Sequence, residues 1–157
     1  MFNSIAPYYY TSVSTRKEIT KMTCKSAIYT TNDTGTSVTV TNDIPVQVPY
    51  GAIIRRFGQS VQSQGGSIQC CGAGYFDVDQ ILTVTPTAAG PITARLYQDG
   101  QAVRGAFITL TGEADTPIAL PIKALVRNCG CDCNSVLTTT IDGSCVINNF
   151  PAVVKKL

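Results

Sequence analysis

Cysteines are the residues of this chain with the most conspicuous chemistry, and three of them alternate with other residues in the run Cys129-Gly130-Cys131-Asp132-Cys133. If this run is extended, Cys129, Cys131 and Cys133 present their sulfur atoms on one face, and Cys145 is available as a fourth ligand for zinc. The spacing differs from that of zinc knuckles, whose cysteine pairs are separated by two residues. We therefore predict small buried or half-buried thiols, followed in order by late disulfides and a metal site.

A second candidate is the carboxylate pair Asp77 and Asp79, which lie two residues apart. Acid–base catalysis by this pair needs a cleft and one raised pKa, and a calcium site needs several more oxygen ligands. The chain contains no histidine, which excludes Ser-His-Asp and Cys-His catalysis and histidine-ligated metals. We therefore predict that the protein is not an enzyme and has no cofactor.

The element that carries the two aspartates has the clearest periodicity in the chain. Phe76, Val78 and Leu82 fall on one face, whereas Asp77 and Asp79 fall on the other. A period of two is typical of a strand with one side in a core and the other side in water. The same alternation continues to Leu110 and predicts consecutive strands.

Turn signals separate about ten short apolar segments. Asp99-Gly100 is a two-residue hairpin signal, and a second pair, Asp142-Gly143, separates two later strands. No segment after the first 25 residues predicts a helix. We therefore predict an all-β protein, a β-sandwich of the jelly-roll type.

Composition limits the possible partners. Charged residues make up only 14% of the chain and the formal net charge is +2. The pairs Arg55-Arg56 and Lys155-Lys156 are isolated, so no basic stripe indicates nucleic-acid binding. No apolar run is long enough to span a membrane, and the N-terminus lacks the features of a secretory signal. A low charge content indicates that part of the surface is covered by other copies or by another protein.

Residues 1–25 differ from the rest and form a predicted N-terminal arm ahead of a β-domain at 26–157. The arm contains an aromatic cluster and a basic segment that we predict to anchor the protein to a partner: Tyr8, Tyr9, Tyr10, Arg16 and Lys17. Tyrosines bury a large area at low entropic cost. The alternative is an unattached terminus.

The run Gly74-Tyr75-Phe76-Asp77-Val78 resembles the glycine-aromatic-aromatic-x-valine strand of TNF/C1q-like jelly rolls. The stretch from Gly51 to Gly105 is similar to small bacterial and prophage versions of that fold, although no collagen-like stalk precedes it. The resemblance covers about residues 26–157 and implies a compact homotrimer. In tailed phages, such modules resemble head-decoration or head-fibre proteins.

Three aromatic residues lie out of phase with the predicted core and are candidates for the trimer interface: Tyr75, Tyr97 and Phe107. Aromatic residues are enriched at the centres of interfaces. The alternative is that they cover a sheet face within the monomer.

Together, these features predict a trimeric structural virion protein, a capsid decoration or head-fibre protein docked on a phage head. Its arm would bind the major capsid protein or another virion protein, after synthesis in the cytoplasm of the bacterial host. The alternative function is a trimeric receptor- or glycan-binding module. In that case the loops Gly58–Gly66 and Thr111–Thr116 would carry the contacts.

Overall fold

A computed structural model describes residues 25–32, 39–40, 44–129 and 134–157. These residues form thirteen β-strands and no helix, which confirms the predicted all-β class. None of the described segments is a helix able to cross a membrane. The strands are β1 Ser26–Thr31, β2 Thr39–Val40, β3 Val46–Val48, β4 Ala52–Phe57, β5 Val61–Gln64, β6 Ser67–Cys70, β7 Gly74–Pro86, β8 Gly90–Gln98, β9 Gln101–Gly112, β10 Ile118–Asn128, β11 Ser135–Asp142, β12 Cys145–Asn149 and β13 Ala152–Lys156.

The strands build two antiparallel sheets. Sheet A has the order β2-β12-β7-β13-β1-β4, and β10 pairs with the other side of β7. Sheet B has the order β5-β6-β11-β8-β9, and β3 pairs with β11 beside β6. The long strand β7 organises sheet A because it pairs with β10 along most of its length and with β13 and β12 on its other side.

The core lies between the two sheets and follows the alternation in the sequence. On β7, Phe76, Val78, Leu82 and Val84 are completely buried, and Asp77 lies on the opposite face. Packing of these side chains against sheet B supplies the apolar burial that stabilises a two-layer fold. The largest buried apolar partners from other strands and loops are Tyr50, Phe150, Ile28, Ile68, Ile92, Leu96, Leu120, Leu137 and Ile141.

A buried polar network joins the two sheets across this core. The Tyr50 hydroxyl donates to Gln80 Oε1 at 2.8 Å and lies 2.8 Å from Thr139 Oγ1, and Gln80 Nε2 donates to Thr139 Oγ1 at 2.9 Å. Gln80 belongs to sheet A and Thr139 to sheet B, so the network fixes their relative position. Burial raises the pKa of Tyr50 well above its ordinary value, which keeps the phenol protonated as a donor.

The two Asp-Gly pairs have different roles. Asp99 and Gly100 have φ angles of 51° and 77° and close the predicted β8–β9 hairpin. Asp142-Gly143 instead connects β11 of sheet B to β12 of sheet A. Gly143 has a φ of 115°, and a Cβ at this position would lie 2.8 Å from the Pro91 carbonyl oxygen. The chain therefore crosses between the sheets at a site that favours glycine.

The segment Gly58–Gly66, predicted as a loop, contains an additional strand. Val61–Gln64 pairs with Ser67–Cys70, and Gly65 and Gly66 form the turn between them with positive φ angles. Only Val61 of this strand is fully buried. A strand with a single apolar core residue produces almost no alternation, which explains why sequence periodicity missed it.

Candidate subunit interface

The most apolar exposed surface is the outer face of sheet A, defined as the face turned away from sheet B. On this face Tyr75 is 48% exposed, Leu125 58%, Leu157 66% and Phe57 67%. Ile81 and Val153 add further apolar area. An exposed apolar patch of this kind on a soluble protein marks an interaction surface.

Strand register brings these side chains together. Leu125 lies opposite Asp77, and the neighbouring pair on the same two strands is Arg127 opposite Tyr75. The amide of Leu157 donates to the carbonyl oxygen of Tyr75 at 3.0 Å, so these two residues are also adjacent. The patch is therefore continuous from β10 across β7 to the C-terminus.

Both carboxylates on this face are paired within the subunit. Lys155 Nζ lies 3.0 Å from Asp77 Oδ2, and Lys123 Nζ lies 3.2 Å from Asp79 Oδ2. The two carboxylates predicted to share a strand face do so, and each is paired with a lysine of a neighbouring strand. Covering Asp77 and Asp79 would therefore bury paired carboxylates rather than isolated ones, which lowers the cost of desolvation.

The same face contains two shallow depressions. One of about 280 Å³ lies between β1, β4 and β13, and one of about 220 Å³ lies beside the middle of β7 and the start of β13. Val153 lines both depressions and separates them. Side chains of a partner can enter such depressions, as packed interfaces require.

The three aromatic residues predicted for the interface do not share one surface. Tyr75 lies on the outer face of sheet A, where the Arg127 guanidinium is 5.8 Å from its ring centroid. Tyr97 and Phe107 lie on the outer face of sheet B, on β8 and β9. Phe107 is 52% exposed, and the Arg95 guanidinium lies 5.0 Å from its ring centroid.

Sequence reasoning missed Leu125, Leu157 and Phe57 on this patch. For Leu125 a signal existed, because it lies out of phase with the core residues Leu120 and Ile122 of the same strand. An out-of-phase leucine on an alternating strand indicates a second apolar face. For Phe57 and Leu157, which lie at strand ends, the periodicity of the sequence gives no comparable signal.

The apolar patch includes the end of the sandwich where the chain enters β1. Ser26 Oγ donates to the Phe57 carbonyl oxygen at 3.0 Å, and β1 begins opposite the end of β13. Lys25 is thus close to Phe57 and to the C-terminal residue Leu157. The predicted anchoring residues Tyr8, Tyr9, Tyr10, Arg16 and Lys17 lie outside the described residues.

The structure separates two of the cysteines considered as zinc ligands. Cys129 follows β10 at the Gly74 end of β7, whereas Cys145 pairs with Pro86 at the other end. These ends are about 40 Å apart at the usual rise per residue of a strand. Cys145 therefore cannot complete a site with Cys129, and no metal-ligating cluster occurs among the described residues. Cys131 and Cys133 lie outside them.

The described thiols differ in burial and therefore in their expected reactivity toward alkylating reagents. Burial raises the pKa of Cys70 from its ordinary value to about 12 and that of Cys145 to about 11, whereas Cys129 is exposed. At pH 8 the two buried thiols are almost fully protonated, and alkylation requires the thiolate.

We expect iodoacetamide at pH 8 to label Cys70 and Cys145 of the native protein about 100-fold more slowly than Cys129. Peptide mapping by mass spectrometry measures this, with the urea-unfolded protein as the control in which all three sites react. Labelling of Cys145 as fast as Cys129 would contradict the assigned burial. Because thiolate formation favours the unfolded chain, the free energy of unfolding should also fall as the pH rises above about 9.

Comparisons with known proteins are informative at the level of the fold. No protein-family model matches the sequence, and no curated protein matches it significantly. Murine APRIL in a crystal structure at pH 5.0 is 12% identical, with a TM-score of 0.61 over 85% of this chain and 99% of that chain. PRD1 vertex protein P5 is 12% identical, with a TM-score of 0.57 over 83% of this chain and 72% of that chain.

Eiger TNF from S. frugiperda is also 12% identical, with a TM-score of 0.59 over 83% of this chain and 91% of that chain. At such low identities the likeness shows the fold alone. The fold is a jelly roll of the TNF/C1q type, as the aromatic strand of β7 predicted.

Proposed function

We propose that this protein is a non-enzymatic structural module of a virion surface. It acts as a homotrimer that decorates a phage capsid or forms part of a head fibre. The observation that carries the proposal is the apolar outer face of sheet A, centred on Tyr75 and Leu125, on which both carboxylates are paired with lysines. Burial of this face between subunits supplies the association energy.

In a three-fold ring the contacts are heterologous, so each subunit uses one surface to contact one neighbour and a different surface to contact the other. The first surface is the outer face of sheet A. The second is the open edge formed by β9 and β10, where Phe107 and Leu110 are 52% and 38% exposed. In this arrangement Tyr75 and Phe107 both contribute, from opposite sides of the contact, although they lie on different sheets.

The position of the arm supports attachment through one end of the trimer. Lys25 leaves the domain beside Phe57 and Leu157, so three arms of a ring would emerge on the same side. The aromatic and basic residues Tyr8, Tyr9, Tyr10, Arg16 and Lys17 would then bind the major capsid protein or another virion protein. Similarity to a phage vertex protein supports this setting on the capsid surface.

Deleting residues 1–25 tests the anchoring role. β1 begins at Ser26, so the deletion removes none of the described strands, and the truncated protein is expected to remain a folded trimer. We expect its copy number on particles to fall at least about ten-fold, because the attachment depends on linked arms that bind together. Quantitative mass spectrometry of particles assembled with each form measures this.

A variant with Gln101→Ala, on the exposed β8–β9 hairpin far along the chain from the arm, serves as the control and is expected to incorporate normally. Incorporation of the truncated protein at the level of the intact protein would contradict anchoring by the arm.

A further inference from the structure

The strand β4 is the most exposed strand of the described fold. All six of its residues are exposed, with Ile53 at 45%, Ile54 at 49% and Phe57 at 67%. Among the described residues it pairs only with β1, and no described strand pairs with the backbone groups along its other side. A free edge with large apolar side chains is a template for another strand.

Sheet B does not cover this strand. Its edge strand β5 packs against β1 and β13. Arg56 pairs with the buried Ile28 and so points to the inner side of sheet A, yet Arg56 is exposed. Because β4 extends beyond the sandwich, a segment pairing with its edge could contact both of its faces.

The charge of β4 is uncompensated. Within the part of the chain that the structure describes, neither Arg55 nor Arg56 has a carboxylate at ion-pair distance. Two adjacent arginines on an extended strand point to opposite faces. A partner strand with carboxylates could reach both guanidinium groups, and Arg–carboxylate hydrogen bonds are among the strongest in proteins.

This charge argues against another copy of the chain as the occupant. The strands with a free edge in the described fold include β4, β5, β9 and β10, and none of them contains Asp or Glu. Pairing of β4 with β4, β9 or β10 of another copy would bring basic side chains together, and pairing with β5 would supply no carboxylate. The arm of the same chain is also unsuitable, since residues 16–25 contain four basic residues against the single acidic Glu18.

We propose that the free edge of β4 binds an extended acidic segment of a partner protein by strand addition. Its main chain pairs with β4, and its carboxylates contact Arg55 and Arg56. Its apolar side chains contact the exposed Ile53 and Ile54 of β4. The proposal deepens the proposed function, because β4 ends beside the point where the arm leaves the domain, and the partner is then the surface to which the arm attaches.

The test uses a fluorescent peptide of about seven residues with an adjacent Glu-Glu pair flanked by valines, so that one carboxylate lies on each face of the added strand, and a matched peptide with Lys-Lys at the same positions. Fluorescence anisotropy with the full chain is expected to show at least about ten-fold tighter binding of the Glu peptide. N-methylation of alternate residues in the Glu peptide should abolish binding, because it blocks main-chain pairing.

The double substitution Arg55→Glu and Arg56→Glu is expected to weaken binding of the Glu peptide at least about ten-fold. Thr138→Glu on the outer face of sheet B introduces a carboxylate away from β4 and from the proposed subunit contact, and this control should leave the affinity unchanged. Equal binding of the two peptides, insensitivity to N-methylation, or no effect of the double substitution would overturn the proposal.

Other occupants give different results. If deletion of residues 1–25 raises the affinity for the Glu peptide at least about ten-fold, the arm covers β4 and the proposal is wrong. If the double substitution lowers the mass of the oligomer, a second copy covers β4 and the proposal is equally wrong. Peptide binding with normal incorporation of the truncated protein would leave this proposal standing and contradict the anchoring role alone.

Discussion

Replacing Leu125 with aspartate is expected to convert the proposed trimer into folded monomers. The new carboxylate would lie opposite Asp77 on the face that the proposed trimer buries. Leaving a charge buried without a partner costs about 3–5 kcal/mol. A loss of about 4 kcal/mol raises a dissociation constant about 1,000-fold. Because Leu125 is 58% exposed in the subunit, the substitution should leave the fold intact.

Sedimentation velocity over a range of protein concentrations measures the oligomer, and circular dichroism verifies the fold. Thr138→Asp, on the central strand of the outer face of sheet B, introduces the same charge away from the patch and is expected to remain trimeric. A trimeric Leu125→Asp protein, or dissociation of both variants, would contradict the assignment of the interface to sheet A.

The three single substitutions in the buried polar network are expected, in sum, to lower stability more than their joint removal. Gln80→Leu leaves the Tyr50 and Thr139 hydroxyls without their amide partner inside the core. An unsatisfied buried polar group costs about 1–3 kcal/mol. The triple variant Tyr50→Phe, Gln80→Leu and Thr139→Val removes every member, so its loss should be clearly smaller than the sum of the three single losses.

Urea unfolding at one fixed protein concentration measures these free energies, since trimer formation makes stability depend on concentration. Gln62→Leu is the control, because its side-chain amide makes an exposed hydrogen bond to the Gln59 carbonyl oxygen, and its effect should stay within about 0.5 kcal/mol. Additive losses would show that the three side chains do not act as one network.

Period-two alternation predicted the strands that bury one face, and it did so for a physical reason. Phe76 and Val78 were assigned to the core because successive strand residues point to opposite sides, and both are fully buried. The same rule cannot tell which sheet a strand joins. Tyr75 and Phe107 were both recognised as pointing away from the core, yet they lie on opposite faces of the sandwich.

Local turn signals have the same limit. Asp99-Gly100 and Asp142-Gly143 have identical sequences, but only the first closes a hairpin. Positive φ angles are a local property, whereas the choice between a hairpin and a crossing depends on contacts far along the chain. Gln80 and Thr139 occupy core positions in the alternation. Because both side chains are polar, the sequence alone does not predict that they are buried between the two sheets.

The mass of the unmodified protein in dilute solution tests the proposed trimeric assembly most directly. Sedimentation equilibrium or mass photometry at nanomolar to micromolar concentrations should give three times the chain mass of 16.7 kDa. A species of 16.7 kDa that persists at micromolar concentrations would contradict a trimer formed through the outer face of sheet A.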